Sequence, residues 1–561
     1  MSLLEQMPSI IVDPQAGRPP LTTELQSHSG AASEWLGGQL ANHPVVKYIL
    51  QSWNTLTRSM SEDSSITDVK VAPNSILYFP ADLPLTNEVA ELYDRSHVQV
   101  RSLPRIIEQM GDVKIHDLPA PGLLYLPNPY VVPGGRFNEM YGWDSYFIVL
   151  GLICSSRFSL ARGMVDNMLF EIRHYGAVLN ANRTYFLTRT QPPFLTATIL
   201  AVYECSQCFD PRESRLEWLQ SAYRLAAKYY AALVQPHRSA GATGLARYFD
   251  MDSGPIPELA DDSAYFEDVI EWLLAHPQQD PGFLVKAPAC PGKTYSDHSS
   301  TAIHPGTGGR REPACVRGNS LTDDFYLGDR AMRESGFDSC FRFGPFCGRT
   351  HHYAPVCLNS LLFRYERDMA TFAAKLDLAG EAQQWNDRAD HRAAAIQKYL
   401  WRADEGLFQD YDFVRGQPSP YSYLSAYYPL WAGLATTQQA AALRQNLHQF
   451  ERSGGLSMST LATGMQWDEP FGWAPCNFIA AEGLRAYGYL AEARRISRAF
   501  ITTVDINFAS DATVREKYDV VRRDAEIQVT AGYKENVIGF GWTNAVYLLM
   551  QKLLLDNSDQ K

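Results

Sequence analysis

The chain has 561 residues, of which 45% are hydrophobic and 20% charged, and a net charge of -12. That is enough chain to bury a sizeable core, in one large domain or several ordinary ones. The acidic balance excludes phosphate backbones and anionic membranes as partners, so neither nucleic-acid nor membrane binding is expected. A neutral ligand suits this charge, and the 12% aromatic share, with 30 Tyr and 11 Trp, suits stacking on sugar rings as well as a large helical core.

The first residues, MSLLEQMPSIIVDPQ, hold no basic segment and no long apolar run, so no secretory signal is expected. No stretch of 18 apolar residues predicts a membrane span. Nine cysteines, with Cys205 and Cys208 as the one CxxC pair, read as buried thiols rather than metal or redox chemistry. Cys290 and Cys315 flank a loop and would bridge only in an oxidising compartment. Reduced thiols and a cytoplasmic protein are expected.

Residues 1–85 are weakly patterned and read as a mobile tail followed by short elements packed on the main domain; residues 86–561 read as one domain. A helical pattern spans Asn87–Met110 before Pro119–Gly122 and Pro127–Pro129 break it. Phe147–Leu152 with Leu160–Tyr175, and Phe194–Tyr203 with Arg212–Val234, predict helical hairpins. Tyr265–Ala275 is a further helix, and Pro277–Asn319, rich in Gly, Pro, Ser and Thr, is a long functional or disordered loop. Asn359–Leu376 pairs with Gly380–Tyr399, and Leu424–Leu434 with Thr437–Phe450. Phe478–Gly488 with Leu490–Thr502 and then Trp542–Leu555 complete the series. Strand-like alternation is rare. Long, dissimilar inter-helix loops holding the polar residues favour an all-α closed double-layered barrel over a solenoid, with the loops forming a pocket at one end.

Five loop stretches hold the residues with chemical potential. PGGRFNEMYGWDSYF (133–147) joins a tight turn to an Arg, two carboxylates and a Trp. NANRTYFLTRTQPPF (180–194) offers amides and guanidiniums, and RESGFD (333–338) an acid beside a Gly turn. QWDEPFGWAP (466–475) sets two Trp around an Asp. REKYD (515–519) is followed by GFGWTN (539–544). Taken singly, Asp338 and Asp468 suit helix caps. Arg515–Lys517 suits a solvated charge run, and Arg333 with Glu334 an exposed pair contributing under about 1 kcal/mol. Together they place carboxylates, arginines and indoles on separate loops. No HExxH, GxxxxGK[ST], GxSxG or Rossmann fingerprint accompanies them. Carboxylates and aromatics without a metal or cofactor motif point to glycosidic bond cleavage.

These segments resemble the trehalase family in order and spacing over roughly residues 120 to 555. PGGRFNEMYGWDSYF and QWDEPFGWAP resemble its two signatures, and DRAMRESGFD is similar to the acid-bearing segment in the form of the fungal neutral enzymes. The resemblance implies an (α/α)6 toroidal barrel that hydrolyses α,α-trehalose with inversion, needing no cofactor and no metal. It implies Asp338 as general acid and Glu516 as general base. It places Arg136, Phe137, Trp143, Asp144, Asn180, Arg189 and Gln191 around the sugar, with Glu258, Arg333, Gly336, Trp467, Asp468 and Trp473 also lining the site. The partner expected is a disaccharide, and the chain a monomer or homodimer.

Three departures from the family pattern stand out. Gly142 replaces the usual Tyr and would thin one pocket wall. Ile256 stands where some bacterial members have a sugar-binding Arg, a charge that Arg333 would take over. The Gly-rich lid is not recognisable in Ala531–Ile538, where Tyr533 and Glu535 are the candidates for its Glu-Tyr pair. The departures at Gly142 and the lid keep open an inverting hydrolase of another α-linked glucoside, such as glucosylglycerate or kojibiose. A catalytically silent sugar-binding protein is a further reading, against which both Asp338 and Glu516 speak.

Overall fold

A helix that is apolar on every side must be buried on every side, whereas one apolar stripe suits an outer layer. Both kinds alternate along this chain. We describe residues 39–67, 75–84, 98–258, 264–287, 313–530 and 535–555 of a computed structural model. The helices used below are α1 (Pro44–Leu56), α2 (Gly142–Cys154), α3 (Phe158–Tyr175), α4 (Leu195–Cys205), α5 (Arg212–Leu233), α6 (Tyr265–Ala275) and α7 (Asp323–Ser335). They continue as α8 (Val356–Lys375), α9 (Ala379–Tyr399), α10 (Tyr428–Ala432), α11 (Thr437–Asn446), α12 (Ala474–Ala486), α13 (Leu490–Asp511) and α14 (Gly541–Leu555).

In α2 every residue except Gly142 is buried. In α5 the buried residues are Leu219, Ala222, Tyr223, Ala226, Tyr229, Tyr230 and Leu233, a single stripe at helical spacing. The packing follows. Helices α2, α4, α8, α10, α12 and α14 touch in that order, and α14 packs back on α2 to close the ring. Outside it, α3 lies on α2 and α4, α5 on α4 and α8, α9 on α8, α13 on α12 and α14, and α1 on α14. This is the (α/α)6 barrel. Its closure needs a close approach at Gly151, where a Cβ would stand 2.6 Å from that of Ala545 on α14; a side chain there would wedge α2 from α14.

Most predicted hairpins are present with shifted ends. Three expectations need correction. Asn87–Met110 is not one helix: Gln99–Ser102 is a strand, β2, in a parallel sheet whose central strand β1 (Ile76–Phe79) pairs with β2 on one side and β3 (Leu123–Leu124) on the other, and 85–97 lie outside the described residues. Leu424–Leu434 is a 3-10 turn plus the short α10, with Pro429 in its first turn. Thr437–Phe450 ends as α11 with a 3-10 turn, after a start where Thr436 and Gln439 cap each other. The 1–38 tail lies outside the described residues. The part after it contributes more than short elements, because α1 buries Val45, Val46, Ile49, Trp53 and Leu56 in the main core.

The loop 277–319 is described only at its ends. There Leu284–Lys286, Cys315–Val316 and Asn319–Leu321 form an antiparallel sheet. With α6 and the start of α7 it encloses a second, smaller apolar cluster around Phe266, Phe283, Phe325 and Phe346. Cys315 is disulfide-bonded, against the expectation of reduced thiols, while Cys154, Cys205, Cys208, Cys340, Cys347, Cys357 and Cys476 are free.

Candidate active site

Helix α7 delivers the candidate acid, Asp338. Thr322 accepts a hydrogen bond from the Phe325 N–H to start it, and Gly336, at φ 75°, ends it in the left-handed cap that favours glycine. The turn sets Asp338 just beyond the helix end. Arg333, in the last turn, lies 3.6 Å from Asp338 Oδ2 and also holds Asp329 at 3.2 Å. Burial pushes the Asp338 carboxyl up to about 6, although the positive charges of Arg333 and Arg189 pull it down. A carboxyl so placed keeps its proton to higher pH, as a general acid must.

Arg333 and Glu334 are not an exposed pair: both are buried. Glu334 accepts from Thr190 and from Arg238 Nη1 at 2.7 Å, fastening α7 to the Arg189–Gln191 loop. Arg189 bonds Glu258 and lies 3.7 Å from Asp250, which in turn holds Arg330 of α7 at 2.9 Å. Ile256 is wholly buried in the second apolar cluster.

The base candidate is positioned by a two-stranded pairing. β4 (Phe471–Trp473) runs antiparallel to β5 (Lys517–Asp519), with Trp473 opposite Lys517. That register lays the Lys517 ammonium 4.9 Å from the centre of the Trp473 ring and 2.7 Å from Glu516 Oε2. Lys517 is fully buried and Glu516 mostly so, which makes these two of the residues read as a solvated charge run a largely enclosed ion pair, while Arg515 pairs with Asp511. Trp542 and Thr543 both donate to the Glu516 carbonyl at 3.3 Å.

The indoles pack against both segments, Trp467 on Phe337 and Trp473 on Lys517. Trp467 and Trp473 stack at 3.7 Å, and Trp143 lies 5.9 Å from Trp467, 5.6 Å from Phe337 and 5.4 Å from Trp542. Trp143 is the second residue of α2, and its N–H is capped by Gln191 Oε1 at 3.0 Å. Asp144 follows it in the first turn, where the helix field favours negative charge. Burial nevertheless raises its carboxyl well above the ordinary value, and the charges of Glu516 and Asp338 raise it further. Asp144 thus feels the charge of carboxyls from two distant segments.

Other expected residues are placed as follows. Asn180 bonds the Thr190 and Arg333 carbonyls, at 3.4 and 3.3 Å. Arg136 is at the rim, paired with Glu535 at 3.3 Å and 4.8 Å from the Phe137 ring centre. Tyr533 lies outside the described residues. Asp468 is buried with its oxygens engaged by Tyr421 at 2.8 Å, Thr463 at 2.6 Å and the Phe341 N–H at 2.9 Å, which makes it a tie between loops. Glu139 is likewise held by Arg183 at 2.6 Å with both buried. Gly142 does not thin a pocket wall: a Cβ there would meet the Leu179 carbonyl oxygen at 2.9 Å.

Three further residues belong to the site and are absent from the sequence-based set. Lys517 partners Glu516, and Gln466 donates to the Asp338 carbonyl. Tyr265, 5.1 Å from the Arg333 guanidinium, has a buried hydroxyl with no protein partner. Gln466 and Lys517 sit inside motifs already singled out; nothing in the pattern of α6 marks Tyr265.

Gly336 gives a direct test of this packing. Its φ disfavours any side chain, and a Cβ would stand 3.0 Å from the Trp143 indole. Gly336→Ala is expected to lower the unfolding free energy by about 1–3 kcal/mol and to displace Trp143, read as a change in tryptophan emission alongside a fall in kcat/KM.

Paired acids and stacked indoles at the loop end of a closed double ring of helices define a glycoside hydrolase. A family model described as Trehalase matches residues 43–298 and 318–554, and the chain belongs to that family. It is 34% identical over 562 residues to the cytosolic neutral trehalase of Saccharomyces cerevisiae, covering 90% of this chain and 70% of that one. The cytosolic neutral trehalase of Emericella nidulans is 35% identical over 464 residues, covering 76% of this chain and 58% of its own. The solved structure of neutral trehalase Nth1 from Saccharomyces cerevisiae matches with a TM-score of 0.73 at 31% identity, covering 92% of this chain and 94% of that chain.

Proposed function

We infer that the protein hydrolyses α,α-trehalose to two glucose molecules in a single inverting displacement. The observation that supports this is a buried Asp144 carboxyl raised by burial and by the charges of Glu516 and Asp338, beside the Trp143–Trp467–Trp473 cluster in a chain of the trehalase family. Asp338 gives its proton to the bridging oxygen as the bond from that oxygen to the attacked anomeric carbon breaks. Glu516 takes a proton from the water whose oxygen bonds to that carbon from the opposite face. Lys517 supplies the counter-charge beside Glu516. Asp144, Arg189, Glu258 and Arg333 hold sugar hydroxyls, and the indoles stack on C–H faces.

Inversion at one ring makes one α- and one β-glucose from each trehalose. Proton NMR of the first turnovers should show equal amounts of each, and release of two α-anomers would overturn the single displacement. A glucose-release panel of trehalose, kojibiose, maltose and sucrose tests the substrate, and no turnover of trehalose would sink the reading. The other α-glucosides lose part of their motivation now that Gly142 is seen to face Leu179.

The acid's titration sets the alkaline limb. Protonated Asp338 is the active form, so kcat/KM should fall as pH rises through about 6. Arg333 lowers that value, so Arg333→Gln should move the limb to higher pH even as it weakens activity. A limb that stays in place in the variant would remove Asp338 as its source.

We place the protein in the cytoplasm with the relatives named cytosolic. The disulfide at Cys315 is the feature a reducing compartment would oppose. Residues 86–561 serve as the catalytic domain, with the 1–85 segment supporting it through α1.

A further inference from the structure

The sequence carries a His-His pair, His351-His352, that the catalytic site does not use. Both rings close on one carboxylate: His351 Nε2 lies 3.0 Å and His352 Nε2 3.3 Å from Asp324 Oδ1. Among the described residues this is the one group of three His, Cys, Asp or Glu whose donor atoms all lie within 4.8 Å of one another. We propose that Asp324, His351 and His352 form a binding site for a late first-row divalent cation such as Zn²⁺, which ties the start of α7 to the segment entering α8.

The donor set and spacing fit that ion. Imidazole nitrogen and carboxylate oxygen are the ligands zinc takes at about 2.0–2.2 Å, and neighbouring ligands of a tetrahedral site then stand about 3.3 Å apart. The separations of 3.0 and 3.3 Å lie just under and at that edge. Three protein ligands leave the fourth position for water. Asp324 is half exposed and His352 is 21% exposed, while His351 is buried, so a cation reaches the group from solvent and sits against a rigid wall.

The backbone beneath is fixed independently of any ion. His351 and His352 end a 3-10 turn held by Thr350 Oγ1 donating to the Cys347 carbonyl at 2.7 Å. Arg247 Nη1 donates to the His351 carbonyl at 2.9 Å, and the Phe413 N–H donates to that of His352 at 3.1 Å. The scaffold is thus present before the ion arrives, the condition for affinity without refolding.

Asp324 is in the first turn of α7 and Arg333 in its last. Nine residues at 1.5 Å each separate them by roughly 14 Å, too far for the cation to touch the reacting groups. Its role is to brace the helix that carries the acid. Zinc selects this site over hard oxygen-seeking ions through the two imidazoles, so Ca²⁺ and Mg²⁺ should not compete.

The test uses the full chain, stripped with a chelator and dialysed, titrated with Zn²⁺ by calorimetry and followed by thermal unfolding. One saturable site per chain is expected, and zinc should raise the unfolding midpoint because it binds the folded state alone. Asp324→Asn and His352→Ala, both at positions with solvent access, should each weaken zinc binding tenfold or more and abolish the midpoint shift. Metal-free turnover of trehalose should stay at the wild-type rate in both. Absence of saturable uptake, or undiminished affinity in the two variants, would overturn the proposal.

Discussion

Asp338→Asn and Glu516→Gln each lower kcat by about 10²–10⁴-fold, while trehalose binding, measured by calorimetry, survives. Neither variant loses the indoles or the arginine grip, so the fall should appear in kcat far more than in KM. The two substitutions part company in stability. In the unfolded chain the Asp338 carboxyl titrates near 3.8, whereas in the folded protein burial holds it at about 6. Between those values the folded state binds more protons than the unfolded one, so stability falls as pH rises across that window, and the loss persists above it. Asn carries no charge to bury. Asp338→Asn should therefore be more stable than the parent at neutral pH, by up to about 3 kcal/mol, with the gain vanishing below about pH 4. Glu516→Gln removes the partner of the fully buried Lys517 and should be less stable instead. An active double variant, or equal stability changes of one sign, would mean that the roles are misassigned.

The contrast shows which parts of the site could be read from the chain. Motifs that act within one turn were legible: Trp143 and Asp144 open an all-apolar helix, and the Gly336 cap sits between Arg333 and Asp338. Periodicity found the ring because inner and outer helices differ in how many of their faces are apolar. It missed α7 for a physical reason. The buried side of that helix carries Asp329, Arg330, Arg333 and Glu334, each satisfied by a partner more than 50 residues away or by a neighbour one turn along. A charged helix face reads as solvated until those partners are known. Lys517 escaped for a similar reason: its burial depends on β4, 44 residues earlier in the chain. Arg136 and Glu535 meet at the rim across 399 positions, a pairing no local pattern could encode. Asp468 is the reverse case. Its setting between two indoles suggested a ligand contact, yet three donors from the protein saturate it.

The largest expected change in stability lies just behind the acid. Arg342 is fully buried, and its guanidinium meets Asp410 through two bonds, at 2.7 and 2.6 Å. The rings of Tyr423, Phe343 and Phe337 stand 4.5, 4.7 and 5.3 Å from its central carbon. Asp410 also accepts the Val356 N–H at 2.8 Å, at the first turn of α8. Asp410→Ala leaves that charge enclosed among aromatics with no counter-ion, which costs about 3–5 kcal/mol, whereas replacing both partners by apolar residues of like volume is often near neutral. The double variant Arg342→Met/Asp410→Leu should thus recover most of the loss in urea denaturation, apart from the capped N–H of Val356. Phe337 ties this pair to function, since it packs on Arg342, on Trp143 and on Trp467 while preceding Asp338 in the chain. Asp410→Ala should accordingly lower kcat/KM as well as stability. If the double variant regains stability without activity, the ion pair serves to aim Phe337 and the acid beyond it; if it regains both, the pair serves folding alone.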